Sequence, residues 1–190
     1  MDALELLIAD HNRVRGLFTR FNAAKDADDT ETMAALGADI FTELVVHTSI
    51  EEECFYPWAA QLSDEIKEGI DEGIEEHHLV KVLIEEMGQL PPTAPEWVAK
   101  LTVLVENVEH HASEEETEMF PSVRHESTAE DREAIGAQLE QLKSERGAPV
   151  LADTIDLTQT ELRTLASEQQ IPGRSSMDHD ELAATVAPPQ

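Results

Sequence analysis

Residues 47–57 read HTSIEEECFYP and residues 111–121 read HASEEETEMFP. Each stretch opens on a histidine, places a glutamate four residues on (Glu51, Glu115), an aromatic nine on (Tyr56, Phe120) and a proline ten on (Pro57, Pro121), so the second copies the first at an offset of 64, from 47 to 111. Two more histidines repeat at an offset of 66, from 11 to 77. DHNRVR surrounds His11 and EHHLVK surrounds His77, each with a valine three residues later and a basic residue four later. The chain therefore carries a duplicated pair of helices. A spacing of four sets His47 and Glu51, and likewise His111 and Glu115, on one helix face a turn apart, so each pair can address one point.

Working outward, apolar residues recur at threes and fours and the Gly and Pro residues cluster between the runs, which predicts helices throughout. The first carries Leu4, Leu7, Val14, Phe18 and Phe21 on a stripe with His11 and gives way to a polar loop at 25–30. The second starts near Thr30, carries Met33, Leu36, Ile40 and Leu44 into His47 and Glu51, and ends or kinks at Pro57. A third follows the candidate N-caps Ser63 and Asp64, with Ile70, Gly73, Val80, Ile84 and Met87 beside His77, and stops at Gly88. The fourth runs from Pro95 through Trp97, Leu101, Leu104 and Val108 to His111 and Glu115, and Pro121 closes it. A fifth runs from Thr128, which forms a capping box with Asp131, to about Arg146, and Gly147 ends it. The predicted fold is all-α: an up-down-up-down four-helix bundle with an extra helix and a small C-terminal helical motif. The expected divisions are 1–146 for the bundle, 147–156 for a linker and 157–187 for the motif. In an antiparallel bundle, ligands meet when they lie equally far from a shared loop, and here they agree within about one turn, so all six side chains fall in one layer.

The 190 residues suit one domain and an appendage, and 41% apolar content suffices for a core. With 41 acidic against 13 basic residues the formal charge is -28, a field that repels phosphate backbones and anionic lipid and makes nucleic-acid binding unexpected. Cys54 is the only cysteine, so intramolecular disulfides and thiolate clusters are excluded, in keeping with a reducing cytoplasm. The start MDALELLIAD is acidic where a secretory signal is basic, and no apolar run approaches roughly 18 residues, so no membrane association is expected.

Each apolar stripe is interrupted by a histidine, followed on two helices by a glutamate. Imidazoles and carboxylates without thiolates suit Fe, Mn or Zn, and carboxylates that can bridge two ions favour a metal pair, foremost di-iron. Left without metal, these groups would strand buried polar atoms at a cost of several kcal/mol together.

With these motifs in hand, the sequence over residues 2 to about 125 resembles the hemerythrin-like proteins with an HHE cation-binding domain. The resemblance implies that His11, His47, Glu51, His77, His111 and Glu115 are ligands of two Fe ions, a non-haem di-iron centre with an oxo or hydroxo bridge, and that Glu51 and Glu115 are the bridging candidates. Oxygen carriers of the family have a further histidine four residues after the one on the third helix, where this chain has Lys81, and an aspartate where it has Glu116. These departures point from oxygen carriage toward reaction with O2, hydrogen peroxide or nitric oxide, as a peroxidase, a catalase-like enzyme or an NO-detoxifying protein. The alternatives are an oxygen, NO or iron sensor and an iron-storage protein without turnover. The partner is then a small gaseous or peroxide ligand.

Residues flanking the pattern are assigned by geometry. A one-residue step rotates a side chain by about 100°, which turns His78 and His110 from the centre. Glu52, Glu53, Glu114 and Glu116 are read as a solvated face, Glu116 being the exception to watch. Cys54 is read as a small hydrophobe and Tyr56 as packing, with a hydrogen bond to a metal-bound oxygen its alternative role. His125 and His179 lie outside the pattern. At the C-terminus the IPGRSSM turn, between capping boxes Thr158/Glu161 and Asp178/Glu181, resembles SAP-like and Rho N-terminal-like motifs. With only Arg163 and Arg174 against five acids, it is expected to dock a protein partner rather than bind DNA.

Overall fold

The computed structural model describes residues 1–147, 162–163, 166–167, 171–177, 182 and 185, and the described residues contain helices and turns but no strand. Four long rods form the body. The first is α1 (Ala3–Asp26), the second α2 (Thr30–Ile50) continued by α3 (Tyr56–Ala59), the third α4 (Asp64–Met87), and the fourth α5 (Pro95–Glu114) continued by α6 (Phe120–Glu126). An extra helix, α7 (Ala129–Glu145), follows. Asp2, Asp29 and Ser63 cap α1, α2 and α4 by accepting backbone N–H groups, and Thr128 with Asp131 forms a full capping box on α7.

Pro57 and Pro121 do not end their helices. Before each proline the rod passes through a π-helical turn, Glu51–Phe55 and Glu115–Met119, closed by the N–H of Tyr56 or Phe120 bonding the carbonyl five residues back. The wider turn lets the proline sit in the first turn of the next helical piece, where its missing N–H is not needed. The first loop is also tighter than its polar composition predicted: α1 runs to Asp26, and Asp28 takes a left-handed φ of 55° to start α2 at Thr30.

The core is split in two. One apolar cluster holds Leu4 and Leu7 of α1, Ile50 of α2, Ile70 of α4, Val123 of α6 and Leu139 of α7. The other holds Val14 and Phe21 of α1, Ile40 of α2, Val80 of α4 and Trp97 and Leu104 of α5. Along each rod the histidine falls between the two clusters, and the order in which the clusters are met reverses from rod to rod, as up-down-up-down packing requires. The helical stretch Thr30–Ala59 is long and apolar enough by length and composition to cross a membrane (mean hydropathy 1.2), but acidic residues interrupt it and it is a core rod carrying His47 and Glu51.

Toward the C-terminus, Leu162, Ala166 and Leu182 are buried together with Ile171 and Met177 against them, and Gly173 takes φ 75° in the expected turn. The expected linker beyond Gly147 and the capping boxes Thr158/Glu161 and Asp178/Glu181 lie outside the described residues, as does His179.

Candidate metal centre

In the layer between the clusters the structure brings together all six side chains singled out by the duplication, each at most 7% exposed. Glu51 Oε2 lies 3.2 Å from His47 Nε2 and 3.3 Å from His77 Nε2, while Glu115 Oε2 lies 3.3 Å from His11 Nε2 and 3.6 Å from His111 Nε2. Each glutamate thus reaches its own helix's histidine and one from the other helix pair. The donor atoms form two overlapping groups, His11, His47, Glu51 and Glu115, and Glu51, His77 and His111, each within 4.8 Å and sharing Glu51.

The outward nitrogens follow one rule. His47 Nδ1 faces Asp10 at 3.4 Å and His111 Nδ1 faces Glu76 at 2.7 Å, while His11 Nδ1 faces Glu116 at 2.8 Å and His77 Nδ1 faces Glu52 at 3.0 Å. A carboxylate only accepts, so in the neutral ring Nδ1 carries the proton and donates it, leaving each Nε2 lone pair aimed at the centre. Glu52 and Glu116 are therefore not a solvated face. They are also held from outside, since Arg15 donates to Glu116 at 2.9 Å and Lys81 donates to Glu52 at 2.6 Å. Lys81, in the position of a fifth histidine, points outward to this carboxylate. Asp10 is held by Lys143 of α7, whose side chain is 1% exposed and whose ammonium donates to Asp10 Oδ1.

Sequence reasoning missed Asp10, Glu76 and Lys143 and misassigned Glu52. The signal for the acids was in the duplication. Asp10 and Glu76 precede equivalent histidines, and Glu52 and Glu116 follow equivalent glutamates. The 100° step that turns His78 and His110 outward aims each neighbouring carboxylate sideways at the next helix.

Tyr56 also departs from a packing role. Its buried hydroxyl donates to Glu115 Oε1 at 2.9 Å and lies 3.5 Å from both His77 Nε2 and His111 Nε2, with its ring stacked on His77. Its counterpart Phe120 stacks on His11 and has no hydroxyl to offer Glu51. Cys54 is half-buried with its thiol toward Gln138 of α7. His78 is exposed, and His110 lies outside the cluster beside Glu114.

The charges are in conflict. Burial and the Glu115 charge push the Glu51 carboxyl up to about 7, whereas burial acts against Glu115 but the surrounding His111 and His11 hold it well below the carboxylate range. Burial opposes a proton on His11 and His111, yet the glutamates around them raise both to about 9, and burial with the His111 charge lowers His77 to about 4. Asp10 stays below its ordinary value because His47 and Lys143 outweigh its burial. Among the described residues, His11 Nε2, His47 Nε2, both oxygens of Glu51 and Glu115 Oε2 are buried without a hydrogen-bond partner. Inward lone pairs and carboxylate oxygens with nothing to bond are what a cation would satisfy, so the residues fit a metal.

A family model, the hemerythrin HHE cation binding domain, matches residues 2–123. The chain is also similar to a DNA nickase of Nostoc sp. (strain PCC 7120 / SAG 25.82 / UTEX 2576), 26% identical over 144 residues, which make up 76% of this chain and 40% of that protein. It therefore spans about two fifths of that relative's length. No solved structure matches it.

Proposed function

The chain belongs to the hemerythrin family of HHE cation-binding domains, and from that premise we propose a non-haem di-iron protein that reacts with O2, hydrogen peroxide or nitric oxide in a cytoplasmic setting. The observation that carries this reading is a pair of overlapping donor groups sharing Glu51, in the first of which His11 Nε2, His47 Nε2, both Glu51 oxygens and Glu115 Oε2 are buried without a partner. In it, His11, His47, Glu51, Glu115, His77 and His111 are the residues that would hold two ions. Bound iron supplies adjacent Lewis-acid and redox centres for a small oxidant.

The protein's own residues set the rest. Beside the four histidines lies a cavity of about 20 Å³ lined by Val14, Leu44, Val80 and Val108. That is room for one diatomic or water-sized molecule. Burial and the neighbouring glutamates raise Tyr56 well above its ordinary value, so it keeps its proton at Oη and holds it among Glu115, His77 and His111. Lys81 clamping Glu52, in place of a fifth histidine, favours turnover over reversible carriage. A sensor is the second reading, favoured by the buried Lys143 that ties the centre to α7, with the segment beyond 147 docking a protein partner.

The relative's name raises DNA, but the charge argues against it. Arg13, Arg15, Lys81, Arg132, Lys143 and Arg146 are each paired with carboxylates, leaving little counterion release to gain from phosphates in a chain of charge -28. The test is an elemental analysis and aerobic spectrum of the purified chain, followed by peroxide and nitric oxide challenge and a duplex-binding assay at ~150 mM salt. About two irons per chain, catalytic consumption and no duplex binding are expected. A stable oxy spectrum that reverses under vacuum would make it a carrier.

A further inference from the structure

The face of the centre between α4 and α5 is open. Gly69 and Gly73 stand one turn apart on α4, and a Cβ on Gly73 would come within 3.2 Å of both His111 Cε1 and Tyr56 Oη. Beside these glycines lies a cavity of about 140 Å³ whose lining includes His111 and Glu115, the latter buried with Oε2 unpartnered, together with Glu65, Glu72 and Glu118. At its rim Glu76, His110 and Glu114 place donor atoms within 4.8 Å of one another, with His110 Nε2 3.3 Å from Glu114 and 3.8 Å from Glu76. The His110 side chain is 64% exposed, and Glu76 bonds His111 with its other oxygen, so one carboxylate touches both solvent-side imidazole and centre.

The duplicated pair shows what this face is without such a path. The counterparts of Gly69 and Gly73 are Ala3 and Leu7, and those of His110 and Glu114 are Val46 and Ile50, all buried in the cluster that α7 completes. One copy is sealed and apolar. The other is open and lined with carboxylates.

We propose that Glu76, His110 and Glu114 form a transit site that captures a hydrated divalent first-row cation and passes it along the Gly69/Gly73 cavity to Glu115. The inference rests on the reading that the core holds metal. One imidazole and two carboxylates suit such an ion but leave coordination positions to water, so the ion is held weakly and moves on to the fuller donor set within. The glutamate walls attract cations and repel anions on the way.

The test uses the full chain stripped by a chelator. Mn2+ titration followed by electron paramagnetic resonance is expected to find one weak ion beyond the core complement, lost in His110→Ala/Glu114→Gln. Anaerobic Fe2+ incorporation is expected to slow at least tenfold in that variant and in Gly69→Leu, which plugs the cavity without changing charge, with the final iron content unchanged. Glu130→Gln/Glu133→Gln, on the exposed face of α7, removes two charges elsewhere and should load at the normal rate. Normal loading in the rim variant, or equal slowing in the α7 variant, overturns the proposal. A wild-type core that takes up no metal sinks the di-iron reading instead, and the Mn2+ titration then decides the rim site by itself.

Discussion

In the first helix pair His47 leans on Asp10, which leans in turn on a buried lysine of α7; in the second, His111 leans on Glu76, which faces His110 and the solvent. Among the described residues the first pair's glutamate, Glu51, has no hydrogen-bond donor, while the second's, Glu115, takes one from Tyr56. The donors are duplicated and their surroundings are not. Two equivalent rings even titrate oppositely, His11 raised to about 9 and His77 lowered to about 4. The difference teaches that a doubled motif can yield two unlike halves when a fifth helix covers only one of them.

Removing a donor breaks the comparison most severely. His47→Ala and His111→Ala should each lose half or more of the bound metal by elemental analysis, with a lower melting temperature. Full metal content in both would refute the ligand assignment. Next is Lys143→Met, which leaves the Asp10 charge buried and half-partnered. Breaking such a pair costs about 3–5 kcal/mol, measurable by urea unfolding, and no lysine plays this part behind Glu76, so the loss belongs to the first half alone.

The pH dependence sharpens the contrast. His11 and His111, raised to about 9, and Glu51, raised to about 7, bind protons more tightly folded than unfolded. Their stabilisation of the metal-free protein is present below their unfolded values and is lost as pH rises through about 7 and then about 9. His77, lowered to about 4, and the lowered Glu115 and Asp10 act oppositely, and their stabilisation is lost as pH falls through their folded values. Metal must displace the protons on His11 and His111, so apparent affinity should climb between pH 7 and 9, by roughly tenfold per unit for each proton released. Urea midpoints and chelator competition across that range would show the two trends crossing; parallel trends would refute the assignment.

Tyr56→Phe makes the halves alike. It should cost about 1–3 kcal/mol by leaving Glu115 Oε1 without its donor, and Phe120→Tyr in the same chain should restore part of that by giving Glu51 one. The smallest effect is expected from Lys81→Ala, since an ion pair with a lysine 42% exposed is worth at most about 1 kcal/mol. A larger loss would show that the clamp on Glu52 reaches His77.

The bundle and the six converging side chains were legible because duplication and a spacing of four report geometry directly. Other features were hidden for physical reasons. Pro121 read as a stop, and Pro57 as a stop or a kink, because a π-helical turn leaves no compositional mark. Asp10 and Glu76 were lost among 41 acids and Glu52 was read as solvated, because charge alone does not tell a solvated carboxylate from one turned to a neighbouring imidazole. Lys143 was invisible because its partner lies 133 residues away on a helix whose sequence gives no sign of a buried cation.

The polar layer has a consequence for folding. It lies across the molecule between two apolar clusters that do not merge, so in thermodynamic terms it is a seam. Ions held by two donor groups that together draw on all four rods would weld two weakly coupled folding units into one cooperative transition. Without them, hydrogen exchange should find the Trp97 cluster opening independently of the Phe55 cluster, and the loss of metal would appear as a loss of cooperativity before a loss of structure.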